Sequence, residues 1–229
     1  MRKKELKDCV QKKLSLKKET KMINSNEIEQ RTDAWFTARL GKVTASKISD
    51  VMAKTKSGYS ASRQNYMAQL ICERLTQSPT ETYSNAAMQR GTELEPVARE
   101  IYVLNQFDVT VTEVGFIPHP TIENAGASPD GLVNDDGLIE IKCPNTWTHL
   151  EFMQSLKPKR EYILQMQWQM ICTGRKWCDF VSYDDRLPDN LSFRCIRIHY
   201  DEALAQEIEA EVIKFLQELD ERIKQIETT

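Results

Sequence analysis

Three charged residues, Asp130, Glu140 and Lys142, fall in a stretch that otherwise reads as a buried hairpin: Ser128-Pro-Asp-Gly-Leu-Val-Asn-Asp-Asp-Gly-Leu-Ile-Glu-Ile-Lys-Cys-Pro144. Leu138, Ile139 and Ile141 give it the apolar character of a short strand inside a sheet, where charge is seldom tolerated. With a side-chain period of two, Glu140 and Lys142 project from one face and Ile141 from the other. Asp135-Asp136-Gly137 suits a hairpin loop closed by a left-handed glycine. That register sets Asn134 across from Leu138 and Asp130 across from Lys142, which makes Asp130 and Glu140 diagonal neighbours. Two carboxylates on one face repel unless positive charge lies between them, and a divalent ion with hard oxygen ligands meets that need. A lysine beside such an ion can orient or deprotonate a water, or stabilise charge developing on a phosphate.

The elements that must position these groups can be read from the chain on either side. Residues 1–21 are a leader with nine Lys/Arg against three acids, read as a solvated extension, with a DNA-touching arm as the alternative. We divide the chain into this basic extension, 1–22, and one domain, 23–229. Residues 33–41 read as a short helix with an Asp cap and a Gly stop, and 44–53 as a second, capped by Thr44. A loop over 55–64 carries Lys56, and a helix follows over 63–75 until Gln77-Ser78-Pro79. Residues 85–107 are a long helical candidate with a kink or boundary at Pro96. Thr92-Glu-Leu-Glu95 also reads as a capping box, and Glu95 by itself is a cap or a solvated acid. Residues 109–118 alternate as a strand. Helices follow over 145–157 and 160–173, the second stopped by Gly174, with Tyr162, Gln165 and Gln169 on one face and Ile163, Met166 and Met170 on another. Strands over 176–183 and 191–198 precede a closing amphipathic helix, 201–226. The order implies an α/β (α+β) fold, a central mixed β-sheet flanked by helices.

The composition excludes several classes. The 229 residues, 40% hydrophobic and 28% charged, suit one soluble globular domain. No apolar run approaches a membrane span or a signal peptide. The six cysteines and three histidines are scattered, with no Cys-x-x-Cys, so a zinc site is not expected and reduced thiols are. A net charge of −3 does not advertise nucleic-acid binding, so a nuclease of this composition must concentrate its positive charge in a groove.

The spacing Asp130…Glu140-x-Lys142 resembles the PD-(D/E)xK nuclease superfamily. Ser-Pro-Asp130-Gly with Glu140-Ile-Lys-Cys-Pro144 is similar, more narrowly, to the phage lambda-type exonuclease, or viral recombinase, family. Three further phrases match in order: Trp35…Arg39-Leu-Gly-Lys-Val-Thr-Ala-Ser46, Gly91-Thr-Glu-Leu-Glu95 and Gln165-Met-Gln167. The resemblance runs discontinuously from about residue 31 to 185. It implies a restriction-endonuclease-like core and phosphodiester hydrolysis assisted by two Mg²⁺ ions, with Mn²⁺ a substitute and Ca²⁺ non-productive. Asp130, Glu140 and the Ile141 carbonyl would hold one ion and Glu95 would bind the second. Glu93 is about 200° from Glu95 around a helix and cannot share that role. Lys142 would position the attacking water, with Gln165 in the active site.

The same resemblance makes Arg39 and Ser46 phosphate contacts; with Ser128 and Gln165, which likewise supply donors and are not acids, they are candidates for a 5′-phosphate pocket, and Lys56 is a further DNA contact. Taken singly, Arg39 is a surface arginine, Ser46 a helical serine and Gln165 a solvated amide. Met88, by spacing a core side chain, matches an apolar residue that wedges between bases at a duplex end. The family implies a toroidal homotrimer acting 5′→3′ on double-stranded DNA ends, a single-strand annealing protein as partner, and phage or prophage origin with action in the bacterial cytoplasm, away from membranes. Competing readings are an endonuclease of the same superfamily, a non-catalytic DNA clamp, and a scaffold with a structural Glu140–Lys142 pair.

Overall fold

Leu138, Ile139 and Ile141 form the centre of a strand at the heart of the main sheet, as their apolar, β-branched character dictates. The computed structural model describes residues 28–80 and 85–228. The basic extension 1–22 and the proposed start of the domain at Ile23 lie outside them.

In chain order the elements are α1 (Asp33–Arg39), β1 (Val43–Thr44), a 3-10 turn (Ala45–Lys47), α2 (Ile48–Met52), β2 (Lys54–Thr55), β3 (Gly58–Tyr59), α3 (Ala61–Thr76) and α4 (Ala86–Asn105). They continue with β4 (Val111–Thr112), β5 (Ile117–Pro118), β6 (Ala125–Ala127), β7 (Gly131–Val133), β8 (Gly137–Lys142), α5 (Thr146–Ser155), α6 (Arg160–Thr173), β9 (Trp177–Tyr183), α7 (Asp189–Ser192), β10 (Phe193–His199) and α8 (Glu202–Glu227). The main sheet has the order β10-β9-β8-β7-β4. It is mixed, because β8 and β9 run parallel while the other neighbours are antiparallel. A smaller sheet, β1-β6-β5, lies beside it.

Helices cover both faces of the main sheet. On one face Ala98 and Tyr102 of α4 pack with Ile139, Ile141 and Val181. On the other, Phe152 of α5 and Met166 and Met170 of α6 pack with Leu138, Cys178 and Phe180. The alternation of β8 is therefore as expected: odd residues meet α4, and even residues face α6. A third cluster joins α2, α3, α6 and α8 to the small sheet. Among the described residues no helix is long and apolar enough to cross a membrane.

Several expected boundaries move. Thr32, not Asp33, caps α1, its side chain accepting from the Trp35 amide. Thr44 ends a strand instead of capping a helix and makes no side-chain cap bond. Helix α4 runs unbroken through Pro96 from its cap at Asn85, so the capping box at Thr92 is not used. A proline inside a helix costs about 3 kcal/mol; burial of Ala98 and Tyr102 immediately after it offsets that loss.

The hairpin register also differs by one step of two. Leu132 pairs with Leu138 and Val133 with Gly137, which continues to Asp130 opposite Glu140 rather than Lys142. The cause is distant in sequence. Gly137 lies under Trp177, and a Cβ there would sit 2.1 Å from the indole ring, so this glycine serves close packing and stays in the strand. Asn134 takes the left-handed position instead, with φ 44. Its side chain accepts from the Thr110 amide at 2.8 Å, and Arg175 donates to the carbonyls of Val133, Asn134 and Gly137. A slip of two keeps every side chain on its face, so the sharing of a face by Asp130, Glu140 and Lys142 survives.

Candidate active site

The carboxylate of Glu140 is fully buried, and burial of an ion demands partners. Three side chains supply them. Lys142 Nζ lies 2.5 Å from Oε1. Gln165 Nε2 donates to Oε1 at 2.7 Å, and Gln169 Nε2 donates to Oε2 at 2.6 Å. The two glutamines are one helical turn apart on α6, so both reach the same strand residue. Gln165 also accepts from Lys142 at 3.4 Å, bridging acid and base. Gln169 shares the predicted face but was not picked out as a site residue; its spacing from Gln165 was the available signal.

Asp130 stands at the start of β7, where its Oδ2 accepts the Ile141 amide at 2.7 Å. Burial, followed by the nearby charges of Glu140 and Glu95, raises its pKa well above the ordinary carboxylate value. For Lys142, burial favours the neutral amine, but Glu140 and Asp130 outweigh it and raise its pKa. Glu95 is buried on α4 and points to the same cleft, whereas Glu93 is exposed. Glu95 Oε1 accepts from Arg99 at 2.8 Å, and Oε2 is paired with Arg31. Arg99 is again one turn away along the helix; nothing in the sequence points to Arg31.

These residues line one open cleft of about 730 Å³, with Glu95, Asp130, Glu140, Ile141, Lys142 and Gln165 on its wall. Arg90 and Arg186, two cations missed by motif, stand on the same wall. Arg90 donates to the Pro144 carbonyl at 3.4 Å and Arg186 at 3.2 Å, and both pair with buried Asp184. Burial opposes ionisation of Asp184, yet the hydrogen bonds from Arg186 hold its pKa well below the usual range. The strand end that follows Lys142 is thereby clamped.

Asp130, Glu140 and the Ile141 carbonyl are hard oxygen donors suited to a small divalent ion that keeps several waters. Asp130 has a carboxylate-rich surrounding and, among the described residues, no cation bonded to its side chain, so it fits such an ion. Glu95 offers oxygens as well, but Arg31 and Arg99 already balance its charge. Among the described residues no three His, Cys, Asp or Glu side chains are drawn together closely enough to hold an ion as they stand.

The crowding of Asp130 has a measurable consequence. Its pKa is raised in the folded chain, so the folded state binds more protons than the unfolded state above about pH 4. Without metal, stability should therefore fall as pH rises from about 4 through the folded value. Asp130→Asn keeps an acceptor for the Ile141 amide and removes the repulsion. In EDTA at pH 8 it should raise Tm, by about 2–4 °C for each ~1 kcal/mol recovered, with little gain near pH 4. A lower Tm at pH 8 would show that the carboxylate stabilises the metal-free fold.

The remaining predicted residues divide. Arg39 and Ser46 line a second cavity of about 540 Å³ together with Lys42, Thr44 and Lys47. Gln165 lines the carboxylate cleft, and Met88 lines both, so the two cavities adjoin. Ser128 is tied to Arg39 indirectly: its Oγ accepts from Trp35 Nε1 at 2.9 Å, and the Arg39 guanidinium lies 3.8 Å over the Trp35 ring. Met88 lines both cavities and is 55% exposed, so it is not a core side chain. Lys56 occupies the turn of the β2–β3 hairpin and lines neither cavity.

The YqaJ-like viral recombinase domain profile matches residues 34–176. Among solved structures, an alkaline exonuclease from Laribacter hongkongensis is 62% identical, with a TM-score of 0.81 over 86% of this chain and 97% of that one. The same exonuclease in complex with dAMP matches equally. A phage-related exonuclease from Haemophilus somnus, at 16% identity and TM-score 0.67 over 81% of this chain and 96% of that one, shares the fold. No curated protein sequence matches. The matched segment contains every residue of the carboxylate cleft except Arg31 and the clamp at 184–186, and the chain belongs to the YqaJ-like viral recombinase family.

Proposed function

We propose that the protein is an Mg²⁺-dependent DNA exonuclease that digests one strand of a linear duplex 5′→3′ and leaves a 3′ single-stranded overhang. The carrying observation is the convergence of Asp130, Glu140, Lys142 and Gln165, from separate segments, in a cleft that also receives Glu95. The identity of 62% to an alkaline exonuclease supports the substrate class.

Asp130, Glu140 and the Ile141 carbonyl would hold one Mg²⁺, with Glu95 facing a second. Bound there, Mg²⁺ supplies an activated water and neutralises charge on the phosphate. Lys142, kept protonated by its carboxylate neighbours, acts by its charge and its N–H donors rather than as a base. Gln165 fixes the position of Lys142 relative to Glu140. Arg90 and Arg186 brace the cleft wall at the Pro144 carbonyl, their charge balanced by Asp184 and Asp185. Mn²⁺ is the expected substitute. Ca²⁺ should bind without supporting hydrolysis, because its larger and looser coordination misplaces the water. Resemblance to the lambda-type exonucleases supports reading the protein as a toroidal homotrimer that passes the exposed strand to a single-strand annealing protein in the bacterial cytoplasm.

The test is digestion of a 5′-phosphorylated linear duplex and of a closed circle, each with and without Mg²⁺. The reading requires metal-dependent loss of the linear substrate alone. Equal cleavage of the circle would make the protein an endonuclease. DNA binding with no cleavage in Mg²⁺ or Mn²⁺ would make it a clamp.

Met88 supports action at a duplex end. It is an exposed apolar side chain between the carboxylate cleft and the Arg39 cavity. Opening a terminal base pair costs a few kcal/mol, and an inserted apolar side chain offsets part of it. Met88→Ala should slow digestion of a blunt duplex by about tenfold, for ~1.4 kcal/mol lost, and that of a pre-frayed end much less. Equal slowing of both would remove the wedge role.

A further inference from the structure

Two arginines hold Glu95, and they are not alike. Arg99 is fixed on three sides: it donates to Glu95 Oε1 at 2.8 Å, pairs with Glu113 at 2.7 Å and donates to the Asp130 carbonyl at 3.1 Å. Its side chain is 12% exposed. Arg31 meets Glu95 Oε2, and among the described residues that carboxylate is the one partner of its guanidinium. The Arg31 side chain is 43% exposed, so this pair is open to solvent from the arginine's side.

The backbone at Arg31 has φ +69, in the left-handed region that favours glycine. Six described non-glycine residues lie there. Asp108, Asn124 and Asn134 are of types that tolerate it, and Gln77 and Leu156 close helices. Arg31 is neither. The chain before it is tied down: Gln30 Nε2 donates to the carbonyls of Val114 and Pro129, both at 2.8 Å. Ile28 crosses Gly115 so closely that a Cβ on that glycine would sit 2.2 Å from the Ile28 carbonyl oxygen. The segment 28–31 is thus anchored at the residue before Asp130, and it delivers the Arg31 side chain to Glu95 at a backbone cost that glycine would avoid. Strain kept beside an active site points to a role for the side chain it carries.

With Oε1 committed to Arg99, a divalent ion at Glu95 competes with Arg31 for Oε2, and the like charges of ion and guanidinium repel. We propose that Arg31 stands in for the second Mg²⁺. It neutralises Glu95 in the metal-free cleft, so the site at Asp130 and Glu140 fills first, and Glu95 takes an ion only when the guanidinium is drawn off. A DNA phosphate can draw it off, because guanidinium pairs with phosphate as it does with carboxylate. Arg31 is then a positioning residue that ties loading of the second ion to the presence of DNA. The inference rests on the metal-dependent reading above and adds to it the order in which the ions enter.

The experiment is calorimetric titration of the full chain with Ca²⁺, alone and with a linear 5′-phosphorylated duplex, after subtraction of Ca²⁺ binding to the duplex. Ca²⁺ leaves the duplex intact on the reading above, so ions are counted without catalysis. Wild type alone should bind one ion per chain, with a second at least about tenfold weaker; with duplex it should bind two. Arg31→Gly should bind two without DNA, the second site tightening by at least about tenfold, the size of one charged hydrogen bond. Glycine accepts φ +69, so this change removes the cation without straining the turn. Arg31→Lys keeps the charge and should keep the wild-type pattern. Adding Glu95→Gln to Arg31→Gly should abolish the gained site. Wild type that binds two ions equally well without DNA overturns the proposal, as does Arg31→Gly with a second site no tighter than in wild type. A gained site that survives Glu95→Gln, or a duplex that brings no second ion to wild type, overturns it too. Each of these leaves the metal-dependent reading standing. Absence of Ca²⁺ binding in every form, with and without DNA, would overturn that reading and the proposal together.

Discussion

Lys142→Ala should lower turnover on linear duplex by at least about 10²–10³-fold, the usual cost of removing one preorganised charge from a transition state. The loss should fall on kcat, since the amine contributes little to holding DNA in the ground state. Raised pKa keeps Lys142 cationic, and Gln165 and Glu140 fix its Nζ from two sides. The same contacts predict a second effect that motif alone does not. Without Lys142, fully buried Glu140 keeps two amide donors and loses its counter-charge. Metal-free Lys142→Ala should therefore melt earlier than wild type, because a buried carboxylate left without a cation is destabilising. Mg²⁺ should restore much of the Tm, since a divalent ion again balances the charge, yet leave turnover low. A variant that regains both stability and rate in Mg²⁺ would show that Lys142 is only a structural counter-ion.

The chemistry was legible because it lies on short-range patterns. Period two in β8 places Glu140 and Lys142 together, and the helix from Arg160 to its left-handed Gly174 presents Gln165 to them. What could not be read depends on contacts far along the chain. Gly137 looked like a turn residue because Trp177, which packs on it, is 40 positions away. The pairing of Glu95 with Arg99 follows helical spacing, but that with Arg31 crosses 64 positions. Met88 has the neighbours of a core methionine in sequence, yet its side chain is exposed in the fold. Arg39 and Gln165 were grouped by chemistry as phosphate donors. Different elements hold them: α3 pins the turn after Arg39 and α6 commits Gln165 to Glu140, contacts that no local pattern marks.

Arg39 carries the second large effect. Wild type should digest 5′-phosphorylated duplex about 10- to 100-fold faster than 5′-hydroxyl duplex, and Arg39→Ala should erase most of the difference. A charged hydrogen bond contributes roughly 1.5–3 kcal/mol, which corresponds to that range of rate when lost from a transition state. Arg39 is suited to the role because among the described residues it has no ion-pair partner to leave. Its guanidinium is stacked on Trp35, and its Nε is buried without a partner. Burial lowers its pKa, but an arginine starts so high that the charge persists at any working pH. Its planar fork can grip two phosphate oxygens, which a lysine cannot. Loss of the Trp35 stack should cost only ~0.5–1 kcal/mol of stability, so Tm serves as the control. The measurement is initial rate on both ends for both proteins. If Arg39→Ala slows the two substrates by one common factor, Arg39 is a general DNA contact or a structural residue.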